Sequence, residues 1–237
     1  MSQSQDHCAG TSASLLDDVL VRQIAAIQPR SVVDFGAGAG KNGGIVRKTL
    51  GDSDVRLVAV EGFEPTVEIL RQAGVYDNVE CMLIQDWFKQ NTNHYDLAIF
   101  GDVLEHLSVW EVRNVLRKCY KCFSHVIVIA PLYDIFQEEL YGNKLEIHKC
   151  YMTETFFNRY YPLEKHFKRG DDWYMLNVYF SPLTPPPSIL SNFNEKKIAR
   201  GIVYLSAPVL QLFGMERVVV KMFRFLGSIL QRLGLRK

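Results

Sequence analysis

Apolar and polar positions alternate along this chain with a period that changes repeatedly, and the changes mark elements. Positions 15, 16, 19, 20 and 24 are apolar at helical spacing, so a helix is expected from Ser14, its cap, to about Ile27, with Asp17 in the first turn. Ser31 to Phe35 is a short apolar run that predicts a strand, and helix-compatible sequence follows from Ile45 to Leu50. Val55 to Val60 is a β-branched run ending at Glu61, with a helix expected from Thr66 to Ala73. Further strands are predicted over Cys81 to Ile84, Tyr95 to Phe100 and His125 to Pro131. Ser108 followed by Glu111 has capping-box spacing, so a helix starts there and 102–107 is left as a loop. After an irregular stretch over 132–148, Thr153 to Tyr160 predicts a helix, and Glu164 to Lys168 with Trp173 to Phe180 a closing antiparallel hairpin. Strands alternating with helices at this spacing predict a doubly wound α/β sheet.

The loop after the first strand carries glycine at alternate positions, Gly36, Gly38 and Gly40. Glycine is required where φ is positive or where a ligand must approach the main chain, and a strand-loop-helix unit presents free amides at the helix start. The spacing separates three kinds of nucleotide loop. Five residues before Gly40 stands Phe35, and Lys41 is followed by Asn42, so this is not a Walker loop. The third glycine of a dinucleotide fingerprint would fall on Lys41, so that pattern fits poorly too. What remains is acid-x-Gly-x-Gly-x-Gly, Asp34 to Gly40, which resembles the first motif of the class I S-adenosylmethionine (SAM) dependent methyltransferases.

Three later stretches carry the same resemblance. Glu61, at the tip of the second strand, stands where that family's ribose-binding acid is found, and one carboxylate can accept bonds from both ribose hydroxyls. An acid just past the third strand contacts the adenine amino group in the family, which nominates Asp86, with Trp87 and Phe63 as apolar walls. Tyr95 to Leu107, Tyr-Asp-Leu-Ala-Ile-Phe-Gly-Asp-Val-Leu-Glu-His-Leu, is similar to the fourth motif, whose strand end faces the methionine part of SAM and the acceptor. The resemblance covers 30–132 by motif. It implies a Rossmann-like, mostly parallel seven-stranded sheet with a C-terminal helical appendage, and SAM bound by Asp34, Gly36, Ala37, Gly38, Gly40, Glu61, Gly62, Phe63, Asp86, Trp87, Asp102 and Val103. Gly142, Asn143, Glu146 and His148 form a Gly-Asn-x-x-Glu-x-His pattern that resembles bacterial methyltransferases near cell-surface saccharide genes.

Methyl transfer from a sulfonium needs donor and acceptor held in line, and a general base where the acceptor is a hydroxyl. His106 and His148 are the candidates, against the plainer reading of hydrogen-bonded structural histidines. Asp102, Glu105 and His106, with His148, are similar to the metal-binding pattern of ubiquinone-pathway and small-RNA O-methyltransferases, which implies magnesium, manganese or zinc; Asp102 is shorter than the Glu found there, and the metal is the minority expectation. The acceptor expected is oxygen on a small molecule, saccharide or lipid-linked intermediate. The rival readings are a non-catalytic SAM-binding or scaffold protein of this fold, and a nicotinamide oxidoreductase, which the glycine spacing opposes.

Composition changes this picture mainly at the carboxyl end. The chain has 237 residues and a net charge of +1, yet from Lys196 onward nine Lys and Arg accompany a single acid, Glu216, so the tail carries +8 and the rest −7. The expected domains are a loose 1–12, a methyltransferase domain over 13–181, a Pro-rich linker over 182–195 and a basic amphipathic helical tail over 196–237. On a helix, Gly214, Arg217, Lys221, Arg224, Ser228, Gln231 and Arg232 share an arc of about 100° with aliphatic and aromatic residues over most of the rest. That suits an anionic membrane interface or, through 205–232, a homodimer seam; four charges within Val209 to Leu230 oppose a spanning helix, and the acidic body opposes nucleic acid. Five cysteines without framework spacing predict reduced thiols, with Cys119 and Cys122 at a helix end rather than on zinc. Met1 to Ser12 lacks signal-peptide character, so the expected place is cytoplasmic, peripheral at the inner face of the membrane.

Overall fold

The computed structural model describes residues 14–51, 53–132, 137–140, 142–169 and 174–181. The chain divides into units of 1–186 and 187–237, and everything described belongs to the first. The expectations for 1–12, 182–195 and 196–237 therefore lie outside the described residues. Among the described residues no helix is long and apolar enough to cross a membrane.

Seven strands form one sheet: β1 (Ser31–Phe35), β2 (Arg56–Glu61), β3 (Asn78–Cys81), β4 (Tyr95–Gly101), β5 (Phe123–Leu132), β6 (Glu164–Arg169) and β7 (Tyr174–Phe180). Their order is β3-β2-β1-β4-β5-β7-β6; the first five are parallel and β7 runs antiparallel to both β5 and β6. The central strands are buried on both faces, which explains their near-continuous Val, Ile, Leu and Phe. Alternate residues of β1 feed opposite cores: Val33 and Phe35 join one cluster, Val32 the other. On the Val32 side pack α1 (Asp17–Ile27), α2 (Lys41–Leu50) and α3 (Glu64–Ala73); on the Phe35 side, α4 (Ile84–Gln90), α5 (Val109–Cys122) and α6 (Glu154–Asn158).

Several boundaries differ from expectation. The third strand is Asn78–Cys81, and Ile84–Gln90 is helix rather than strand end. Ile84, Trp87 and Phe88 recur at i, i+3 and i+4 and bury one helical face, which an extended chain would split between two faces. Phe35 anchors that face, stacked on Phe100 at 4.7 Å and meeting Trp87 edge-on at 5.0 Å between centroids. Helix α2 begins at Lys41 rather than Ile45, helix α3 at Glu64 with Pro65 in its first turn, and helix α6 is shorter than 153–160. Ser14 is not a cap; it opens a 3₁₀ turn, and Leu16 precedes α1 without a side-chain bond. The capping box of Ser108 and Glu111 is present, and Cys119 is buried and Cys122 partly buried at the end of α5, both free thiols.

Candidate active site

Strands β1 and β4 lie side by side while the chain leaves them in opposite directions, so a crevice opens beyond their carboxyl ends. A cavity of about 580 Å³ occupies it, a size suited to a ligand of nucleoside dimensions. Its floor is Gly36, Ala37 and Gly38 from the loop after β1, and one wall is Glu61 and Gly62 from the end of β2. Asp102 and Val103 follow β4; Gln137, Asn143, Leu145, Glu146 and His148 come from the segment after β5.

The glycines are needed for two different reasons. Gly36 and Gly38 have φ of 65° and 50°, and a Cβ on Gly36 would run into the Val103 side chain. Gly62 has ordinary φ, but a Cβ there would press on Leu145 at 2.8 Å, so this glycine lets the segment after β5 approach β2. Glu61 is held at the cavity edge by two backbone donors: Gly38 N–H donates to Oε2 at 3.2 Å and Phe63 N–H to Oε1 at 2.9 Å.

Beneath the loop Asp34 is fully buried and does not line the cavity. Tyr76 Oη donates to Asp34 Oδ2 at 2.7 Å, Asn42 Nδ2 donates to Oδ1 at 3.4 Å, and Gly43 N–H donates to Tyr76 Oη at 3.2 Å. Burial raises the Asp34 carboxyl to about 7; the Tyr76 and Asn42 bonds pull against that shift and the Glu61 charge adds to it. The Tyr76 phenol is raised as well, by burial and then by Asp34.

At the far end of the cavity His106 and His148 pack at 4.9 Å between ring centroids. Burial, with His148 beside it, lowers His106 to about 4, so its imidazole is neutral at physiological pH. Glu105 is buried and raised well above the usual carboxylate range by desolvation, then by Asp102. Ligand atoms of Glu105, His106 and His148 lie within 4.8 Å of one another, a spacing that fits a divalent cation; Asp102 is outside that group. Glu105 Oε2 and His106 Nδ1 are buried without a hydrogen-bond partner among the described residues.

No protein-family model matches the sequence, and no curated protein matches it. Solved structures do match. The N-terminal domain of EvdMO1, determined in the presence of S-adenosylhomocysteine (SAH) and D-fucose, superposes with a TM-score of 0.56 at 11% identity, covering 73% of this chain and 84% of that one. TehB from Haemophilus influenzae gives 0.53 at 13%, covering 69% and 61%. The N-methyltransferase NodS from Bradyrhizobium japonicum gives 0.50 at 13%, covering 70% and 93%. The chain has the class I methyltransferase fold.

Within this methyltransferase fold the expected residues divide. Gly36, Ala37, Gly38, Glu61, Gly62, Asp102, Val103, His106 and His148 all line the cavity. Asp34, Gly40, Phe63, Asp86 and Trp87 do not. Gly40 precedes α2 with φ of 83°, and Phe63 contributes its amide to Glu61. Asp86 sits on α4 paired with Lys89 at 2.7 Å, and Trp87 is locked into the aromatic core. A strand over 81–84 would bring both to the adenine; α4 turns them away, and Leu83, Ile84 and Gln85 line the cavity instead. Tyr76 and Asn42 were missed: neither falls in a motif, and only the fold brings them to Asp34.

Proposed function

We propose that the protein is a SAM-dependent methyltransferase acting on a hydroxyl of a saccharide, another small molecule or a lipid-linked intermediate. The observation that carries the reading is the Glu61 carboxylate, fixed by the Gly38 and Phe63 amides at the mouth of a crevice floored by glycine. Anchored by two donors, it keeps lone pairs for a ribose diol, while Gly36 and Gly38 let an amino-acid end approach the main chain. Bound there, SAM supplies an electrophilic methyl group. Glu61, Asp102, Glu111 and Glu146 outnumber Lys41 and Lys149 along the cavity, which suits a cationic sulfonium.

The acceptor end holds His106 and His148. His148 lines the cavity beside His106 and takes the hydroxyl proton, and His106, lowered to about 4 by burial and then by His148, packs against it as a neutral imidazole. The saccharide assignment draws support from the polar lining by Gln137, Asn143 and Glu146, and from the D-fucose present with the EvdMO1 domain. A second reading rests on the Glu105, His106 and His148 spacing: a divalent cation takes these three atoms, and the imidazoles serve as ligands rather than bases. Manganese titration of chelator-treated protein separates the two, since His148→Ala removes micromolar binding only in the second. The basic tail holds the enzyme at the anionic inner face of the membrane.

Calorimetric titration with SAH tests the main reading. Micromolar binding is expected, with NAD inert; Glu61→Ala should weaken SAH more than about a hundredfold, the equivalent of two charge-assisted hydrogen bonds. An intact protein that does not bind SAH overturns the reading.

A further inference from the structure

We infer that Tyr76 is the positioning residue of the cofactor loop: its phenol bridges Asp34, at the loop's start, to Gly43, just beyond its end, and so sets the loop's shape for the adenosyl cofactor. The inference rests on the SAM reading of the cavity, which assigns Tyr76 no role.

The geometry closes a ring. Asp34 is the fourth residue of β1 and Gly43 lies in the first turn of α2; the chain between them carries the three positive-φ glycines at 36, 38 and 40. One oxygen meets both ends, donating to Asp34 Oδ2 and accepting from Gly43 N–H. Three αL-prone glycines at alternate positions would leave such a loop with several accessible shapes, and a crosslink across its base removes most of them. The loop shape is also what aims Gly38 N–H at Glu61 Oε2, so the clamp reaches the proposed ribose acid through one backbone bond.

Tyr76 is itself presented from a fixed place. It stands between α3 and β3, where Arg47 of α2 donates to the Val75 carbonyl at 3.0 Å and Asp77 accepts from Leu57 N–H of β2 at 2.6 Å. Arg47 and Asp77 pair at 2.9 Å, closing the segment from both sides. The ring lies so close to Gly43 that any Cβ there would collide with it, which accounts for a glycine inside the first turn of a helix, where it otherwise costs stability. The titratable groups around Asp34 are Tyr76 and Glu61, with Asn42 and the Gly43 amide as neutral neighbours. A phenol donates more strongly to an ionised carboxylate, so the clamp tightens as Asp34 loses its proton.

The experiment is calorimetric titration of SAH into the wild type and Tyr76→Phe at about pH 6 and about pH 8, either side of the Asp34 value of about 7. The wild type should bind more tightly at the higher pH. Tyr76→Phe keeps the ring and loses the bridge; it should bind SAH about tenfold more weakly at the higher pH and show little of the pH gain. Equal affinity of variant and wild type, or weakening of the same size at both pH values, overturns the clamp. If Tyr76→Phe does not fold, Asp34→Asn at the higher pH takes its place, with at least about threefold weaker SAH expected and unchanged affinity overturning the proposal. A wild type that binds no SAH removes the methyltransferase reading and the clamp with it; binding by the wild type and by an unaltered variant removes the clamp alone.

Discussion

Asp34 lies beneath the glycine loop, fully buried, and does not line the cavity. Its position in acid-x-Gly-x-Gly-x-Gly suggested cofactor contact, yet it is sealed beneath the loop and bonded to Tyr76 and Asn42. Its carboxyl, near 3.8 in the unfolded chain, rises to about 7 on folding, chiefly through burial. The folded state therefore keeps a proton that the unfolded state releases, so this group's contribution is full below about pH 4 and is lost as pH rises toward 7. Asp34→Asn cannot ionise, so in urea denaturation it should be more stable than the wild type at about pH 8, on the order of 3 kcal/mol, with the difference shrinking toward pH 4. The comparison with wild type isolates this group, because the lowered carboxyls of Glu111 and Glu164 act in the opposite direction in both proteins. Equal pH slopes in the two proteins would show that Asp34 is ionised in the folded state. If the variant is both more stable and poorer in SAH binding, the buried acid is a stability cost accepted for cofactor affinity.

At the level of elements, what could be read from sequence is what local chemistry decides. Four of the five parallel strands, β1, β2, β4 and β5, announce themselves because a doubly covered strand is an unbroken apolar run, and the capping box at Ser108 and Glu111 is a four-residue signal that the structure realises with Glu111 Oε2 accepting from Ser108 N–H at 2.8 Å. The short β3, half-buried at the sheet edge, carries no such run, and the apolar residues after it suggest a strand although Ile84, Trp87 and Phe88 have helical spacing. As part of that helix Asp86 and Trp87 do not line the cavity. Glu61, Asp102 and His106 lie at element boundaries and line the cavity, as His148 does from the irregular segment after β5, whereas Tyr76 and Leu145 reach their places through tertiary contacts that no local pattern encodes. The capping box also supports the turn before it, which carries Asp102, Glu105 and His106, and Glu111 accepts from Gln85 at 2.9 Å across the cavity wall. Ser108→Ala should lower stability by about 1 kcal/mol in urea denaturation while leaving Cys119 buried and unreactive to thiol reagents; a loss below a few tenths would mean that tertiary packing alone holds the start of α5.

For the whole molecule the governing fact is the division of charge, +8 from Lys196 onward against −7 before it. A body that is itself acidic is repelled by an anionic bilayer, so any attraction must come from the tail. Each basic residue near such a surface contributes about 1 kcal/mol, and the apolar side chains between Val209 and Leu230 add to that by burial among acyl chains. The two terms respond differently to salt: the first is screened within about 10 Å at 0.1 M, the second is not. In flotation with vesicles containing anionic lipid, the full chain should rise with the vesicles and a chain ending at residue 195 should stay behind. Raising the salt should weaken flotation without abolishing it, and neutral vesicles should retain less protein than anionic ones. A homodimer seam through 205–232 predicts the contrary pattern: flotation indifferent to the tail, and a halving of mass in light scattering when it is removed.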